Sequence, residues 1–268
     1  MVPPSDSRAV AVYCAASLGK RKAFQNAALS VGHALAEANR PLVYGGGNAG
    51  IMGVVSGAAL EHENARVIGI IPNAILAGGG EKDKGGNPIP TTKHVADALS
   101  EKPRIVVSSM HERKVEMATR AGGFIGLPGG FGTFDEVLEV ITWNQLNIHN
   151  KPVVLLNVCG YWSPLRALVR TGIEEGFIRP ENEKLVIFVD GPEDYDEHET
   201  FEWGKAAIAA LESWDTANTK GTLPFHWLKD VDTSAATTNE KPNKGSGSAR
   251  WLRKVWHARM RGRPLVVA

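Results

Sequence analysis

The sequence predicts an α/β fold of the doubly wound (Rossmann-like) kind: a mostly parallel sheet with helices on both faces. Three observations carry this. Short runs at 9–13, 42–44, 67–71, 105–107, 124–127, 153–156 and 185–189 are apolar along their whole length. Longer stretches with helical periodicity separate them. Glycine-rich turns follow the second and fifth runs. A strand apolar throughout is covered on both faces, which is the condition of a parallel strand between helix layers. In such folds ligands bind beyond the carboxyl ends of the strands.

The elements follow in order. The run 9–13 opens the sheet and leads into a helix over 20–39. The run 42–44 ends in Gly45-Gly46-Gly47-Asn48-Ala49-Gly50 and a helix over 51–61. After 67–71 the rhythm breaks. Residues 73–103 hold Gly78-Gly79-Gly80, Gly85-Gly86, Pro88 and Pro90, and read as an excursion or lid. The run 105–107 precedes Ser109-Met110-His111-Glu112, a capping-box pattern that starts a helix over 110–121. The run 124–127 meets Pro128-Gly129-Gly130-Phe131-Gly132-Thr133 and a helix over 133–146. Strands at 153–156 and 185–189 flank a helix over 164–175, and a last helix covers 195–211. We therefore expect one α/β domain over 1–231, then a flexible linker over 232–249 and a basic tail to 268 with one short amphipathic helix.

Net charge is +1, so no global field points to nucleic acid or to a membrane. The balance is uneven, because residues 241–268 hold eight Lys and Arg and no acid. Two cysteines, Cys14 and Cys159, cannot build a disulfide framework and read as buried structural thiols in a reducing compartment. No leader pattern and no apolar run near 18 residues is present, which predicts a soluble, cytoplasmic protein.

The chemistry concentrates at the second glycine turn. Gly129, Gly130 and Gly132 let a ligand approach the backbone, and the helix behind them offers free N–H groups to an anion such as phosphate. Phe131 and Thr133 lie in the same turn, and Glu136 is expected in the first turn of that helix, beside the anion. The first loop has the spacing G-x-G-x-x-G, the dinucleotide fingerprint. That fingerprint also needs an acid at the end of the next strand, and Ile70-Ile71-Pro72-Asn73 supplies none. Gly46 and Gly47 therefore line a mononucleotide pocket with the second turn, or form a packing turn. Ser17, ending the first strand's loop, either donates to a sugar or phosphate or caps the following helix. Arg113 and Lys114 fall near a helix N-terminus, where cations are unfavourable, which suggests that Arg113 is held there for a ligand's negative charge; the alternative is a solvated arginine on an exposed face. Glu139 shares a face with Glu136 and either positions it or pairs with Arg113. His111 reads as a surface histidine, and no cluster shows metal-ligand spacing.

Three motifs in order carry a resemblance. They are Tyr44-Gly45-Gly46-Gly47…Gly50-Ile51-Met52-Gly53, Met110-His111-Glu112-Arg113-Lys114, and Pro128-Gly129-Gly130-Phe131-Gly132-Thr133-Phe134-Asp135-Glu136. The last fits P-G-G-x-G-T-x-x-E, and the likeness runs on through Glu139 to Leu146. Over roughly 8–212 the chain resembles the Lonely Guy family, cytokinin-activating phosphoribohydrolases often labelled lysine decarboxylases. The resemblance implies hydrolysis of the N-glycosidic bond of N6-substituted adenosine 5′-monophosphates, without a cofactor, by a homodimer or larger homo-oligomer. It places the catalytic pair on Arg113 and Glu136. It places the nucleotide contacts on Arg113, Lys114, Gly130 to Glu136 and Thr142; Met110, Gly129 and Glu139 are further candidate contacts. Ala15-Ala16-Ser17 stands where plant members have Gly-Ser-Ser. Two other readings compete: a non-catalytic nucleotide-binding protein, and a pyridoxal-phosphate decarboxylase with Lys114 as its Schiff-base lysine.

Overall fold

The computed structural model describes residues 7–77 and 104–215. The chain divides into the units Met1–Trp227 and Leu228–Ala268, and all that follows concerns the first. Most of the expected 73–103 excursion, the linker and the basic tail lie outside the described residues.

Strands β1 (Val10–Tyr13), β2 (Leu42–Tyr44), β3 (Val67–Pro72), β4 (Arg104–Val107), β5 (Gly123–Gly126), β6 (Val153–Leu156) and β7 (Ile187–Val189) form one sheet in the order β4-β3-β2-β1-β5-β6-β7. Every neighbouring pair is parallel. The chain winds outward from β1 to β4, returns to the other side of β1 at β5, and winds outward again. The order therefore reverses between β1 and β5, and a crevice opens there at the carboxyl ends of the strands. The expected doubly wound fold is the one observed.

Two apolar layers cover the sheet, divided by the two-residue alternation of the strands. Val10 and Val12 pack with α1 (Lys22–Glu37), α2 (Gly50–Leu60) and α7 (Trp203–Glu212), through Val31, Leu35, Val55 and Trp203. Ala11 and Tyr13 face the opposite layer with α4 (Met110–Arg120) and α5 (Phe131–Gln145), through Met117, Val137 and Val140. Each fully buried Leu or Ile in these layers contributes about 2 kcal/mol. Helices α1 and α2 touch closely because Gly32 has no side chain; a Cβ there would lie 2.5 Å from the Val55 carbonyl oxygen.

Several boundaries move. Helix α5 begins at Phe131, with extended Gly130 as its N-cap, so Glu136 lies in its second turn rather than its first. Helix α1 starts at Lys22 with Arg21 as N-cap, so Ser17 does not cap it; its carbonyl instead accepts from the Ile51 N–H at the start of α2, at 3.4 Å. Leu185 belongs to a 3-10 turn, Pro180–Leu185, ahead of β7. The expected helix over 195–211 splits into a 3-10 turn at Glu197–Glu199 and α7. Trp203 marks the break: its Nε1 donates to the His198 carbonyl at 3.1 Å and its ring packs on Phe201 at 4.9 Å. Cys14 is buried as expected, but Cys159 is only half-buried, in a turn at φ 50°. Residues 73–77 begin the expected excursion as a short helix, α3 (Asn73–Ala77). Among the described residues no helix is long and apolar enough to cross a membrane.

Candidate active site

Helix α5 starts directly beyond the carboxyl end of β5, beside β1, and so opens into the crevice. Its first i→i−4 bond runs from the Phe134 N–H to the Gly130 carbonyl, which leaves the preceding N–H groups without helical partners. A Cβ on Gly130 or Gly132 would meet nothing within 4 Å, so the space over this turn is open to a ligand. Gly129 is different: a Cβ there would sit 2.0 Å from Thr133 Oγ1, and Thr133 itself is buried. Phe131 is 90% exposed at the lip of the turn.

Arg113 comes from α4. The N-cap half of the expected capping box forms at Ser109, whose Oγ accepts from the Glu112 N–H at 3.0 Å. The Glu112 carboxylate, however, turns to Ser108. From this anchored turn Arg113 reaches across the strand ends. Its Nε donates to the Ile70 carbonyl at 3.2 Å, and its Nη1 meets Glu136 Oε1 at 3.3 Å. A Cβ on Gly45 would lie 2.0 Å from Arg113 Nη2, so the guanidinium lies against bare backbone at the first glycine loop.

Glu136 is 7% exposed. Burial pushes its carboxyl up to about 7, with Arg113 pulling in the opposite direction. Near neutral pH the group therefore exchanges between acid and carboxylate. Lys114 sits next to the pair and bonds Asp135 at 3.0 Å and Glu139 at 3.1 Å. Burial works against its charge, but the two carboxylates outweigh that and raise its pKa. Glu139 thus pairs with Lys114, not with Arg113. Such an ammonium is held protonated, which argues against Lys114 as a Schiff-base nucleophile.

The first glycine loop closes the other wall. Gly46, at φ +75°, packs under Ile71, and Gly50, at φ +58°, has the Ala16–Ser17 backbone against it. A side chain at either would be strained and would collide, so these glycines also serve packing. Gly47 follows in the same loop, partly buried, and Ser17 is exposed on the facing loop. Met110 opens α4, 48% exposed. The fold gathers Arg113, Lys114, Glu136, Glu139 and the two glycine loops at the switch point. Thr142 is not gathered with them: it is exposed farther along α5 with its hydroxyl donating to the Leu138 carbonyl. His111 is exposed, as expected.

The sequence reasoning missed several residues. Tyr13, at the end of β1, is buried, and burial together with the nearby Glu136 raises its pKa well above the ordinary phenol value. Asp135 was not foreseen as a partner of Lys114. Tyr161 donates to the Gly129 carbonyl, and Trp162 Nε1 donates to the Gly126 carbonyl at 3.2 Å. The one available signal was an aromatic pair just after a strand. Among the described residues no group of three or more His, Cys, Asp or Glu could hold a metal.

Comparison with known proteins gives the family. A family model described as "Possible lysine decarboxylase" matches residues 52–198. The probable cytokinin riboside 5′-monophosphate phosphoribohydrolase LOGL2 of Oryza sativa subsp. japonica is 43% identical over 194 residues, 72% of each chain. The cytokinin riboside 5′-monophosphate phosphoribohydrolase LOG7 of Arabidopsis thaliana is 43% identical over 178 residues, 66% of this chain and 74% of that one. The molybdenum cofactor carrier protein of Chlamydomonas reinhardtii superposes with a TM-score of 0.48 at 20% identity, over 76% of this chain and 96% of that one. On the family model and these sequence relatives together, the chain belongs to the Lonely Guy family, whose model bears the lysine decarboxylase description.

Proposed function

We propose that this protein hydrolyses the N-glycosidic bond of adenosine 5′-monophosphates, N6-substituted ones included, to free base and ribose 5-phosphate. The observation that carries this is the buried Arg113–Glu136 pair, 3.3 Å apart, beside an open glycine turn at the switch point of the sheet. In the reaction the bond from C1′ to the base breaks and its electron pair leaves with the base. Water supplies a hydroxyl to C1′ and a proton to the base. Positive charge builds on the sugar as that bond stretches, as in glycoside hydrolysis generally. The Glu136 carboxylate faces that charge. Arg113 orients the nucleotide, and Gly130, Gly132 and Thr133 receive the 5′-phosphate at the start of α5. Lys114 offsets Asp135 and Glu139, so that Glu136 is the carboxylate left for chemistry. A homodimer or larger homo-oligomer, acting in the cytoplasm on a small-molecule nucleotide, belongs to the same reading.

Product analysis tests it. With chelator present, the purified protein should release base from AMP and from N6-substituted adenosine monophosphates, and ribose 5-phosphate in equal amount. Comparable turnover of the unphosphorylated riboside, or release of carbon dioxide from lysine, would overturn the proposal.

A further inference from the structure

We infer that Tyr161 is a positioning residue that aims the phosphate-binding turn, through its hydroxyl bond to the Gly129 carbonyl. The inference rests on the phosphate site proposed above. Tyr161 lies just past the 3-10 turn Val158–Gly160 that follows β6, on the loop next to the crevice. Its hydroxyl donates to the Gly129 carbonyl. Its ring is packed on three sides: Phe24 of α1 at 6.1 Å, Phe134 of α5 at 6.4 Å and Trp162 at 5.3 Å. The loop is itself anchored. The Trp162 N–H donates to Asn157 Oδ1 at 2.7 Å, and Asn157 Nδ2 donates to Asp190 Oδ1 at 2.7 Å and to Ser163 Oγ at 3.0 Å.

The consequence follows from peptide geometry. In a trans peptide the C=O and the next N–H point in opposite directions within one plane. A Gly129 carbonyl tied to Tyr161 therefore directs the Gly130 N–H to the other side. The Gly129-Gly130 peptide is flanked by two residues with wide backbone freedom, so nothing intrinsic stops it from turning over. Turned over, it would present a carbonyl oxygen where the anion must bind, and the cradle would repel phosphate. Tyr161 is thus the group that selects the receptive orientation. Trp162, donating to Gly126 at 3.2 Å, holds the strand end that leads into the turn.

The test is Tyr161→Phe, which keeps the ring and removes only the hydroxyl. Loss of one hydrogen bond of ordinary strength should weaken phosphate recognition about fivefold to tenfold. We expect KM for AMP and the Ki of inorganic phosphate to rise together by that factor, with kcat changed less than about twofold. Ribose should compete equally weakly with both proteins. An unchanged phosphate Ki in Tyr161→Phe, or a fall in kcat as large as the rise in that Ki, would overturn the inference. Titration calorimetry with ribose 5-phosphate, and the rise in Tm that it produces, read the turn without turnover. A wild-type protein that binds ribose 5-phosphate but releases no base therefore defeats the hydrolase reading alone.

Discussion

The two ends of helix α5 carry two polar clusters of opposite character. At its start, at the carboxyl end of the sheet, Glu136 faces Arg113 while Lys114 bridges Asp135 and Glu139. At its far end, at the amino end of the sheet, Asn144, His149 and Lys151 gather under β5 and β6. There the partners are main-chain atoms: Asn144 Nδ2 donates to the Lys151 carbonyl at 3.0 Å, Lys151 Nζ to the Ala118 carbonyl at 2.7 Å, and the Lys151 N–H to His149 Nδ1 at 3.3 Å. Both clusters perturb ionisation. Burial and the neighbouring Lys151 push His149 down to about 3, burial alone takes Lys151 down to about 8, and Glu136 rises to about 7. A displaced pKa therefore does not distinguish a reactive group from a strut. What distinguishes them is the partner. The lower cluster ties α4 and α5 to the strand that follows, whereas the upper one sets charge against charge next to open space.

The comparison can be broken by substitution. Glu136→Gln should act most strongly, lowering kcat by at least about 10²-fold, the scale for losing a charge-stabilising group, with the fold retained. Wild-type kcat/KM should rise with pH through about 7 as Glu136 ionises, and the variant should lose that limb. The same carboxyl has a folded pKa above its unfolded one, so its ionisation costs stability that accumulates as pH rises from the unfolded value to about 7. Relative to wild type, Glu136→Gln should therefore gain Tm from pH 5 to pH 8. A variant that keeps near-normal activity would erase the distinction between the clusters.

Gly45→Ala is the next test, because it moves Arg113 without altering a charge. The colliding atom is the tip of a long side chain, so the guanidinium yields and the backbone stays. We expect kcat/KM to fall about tenfold or more, as displacement of a positioning group by an ångström allows, with Tm nearly unchanged. His149→Gln is the smallest test and should leave kcat/KM within about twofold. Its effect is on stability. His149 has a folded pKa below its unfolded one, so wild type loses stability as pH falls from about 6.5 towards 3. The variant's stability should decline less steeply between pH 7 and pH 4, by on the order of 1–3 kcal/mol at pH 4, read as a smaller fall in Tm. Loss of activity in His149→Gln equal to that in Gly45→Ala would show that the two ends are one machine.

The residues that were legible in the sequence carry local signals. Apolar strands, the capping box at Ser109 and the glycine turns announce themselves within a few positions, and together they imply a parallel sheet with a site at its carboxyl end. The pairing of Arg113 with Glu136 was legible only through motif resemblance, because nothing in the intervening residues specifies a contact across the crevice. Glu139 was misassigned for a related reason: its helix face was evident, but which cation lay opposite depended on another helix. Tyr161 and Tyr13 were missed because each acts through a partner more than thirty or one hundred positions away. The split before α7 was hidden because Trp203 sits in a helix-like apolar pattern while its indole is engaged with His198.

The contact between Gly45 and Arg113 has a meaning for descent as well as for catalysis. Two positions on different helical connections occupy one volume, so a side chain gained at 45 is tolerated only where the residue at 113 shortens or turns away. A lineage that lost the arginine would be released to fill position 45, and one that kept it would not. A bulky residue at 45 in a related chain would thus mark a protein that has abandoned this guanidinium, and with it this way of holding a carboxylate in the crevice.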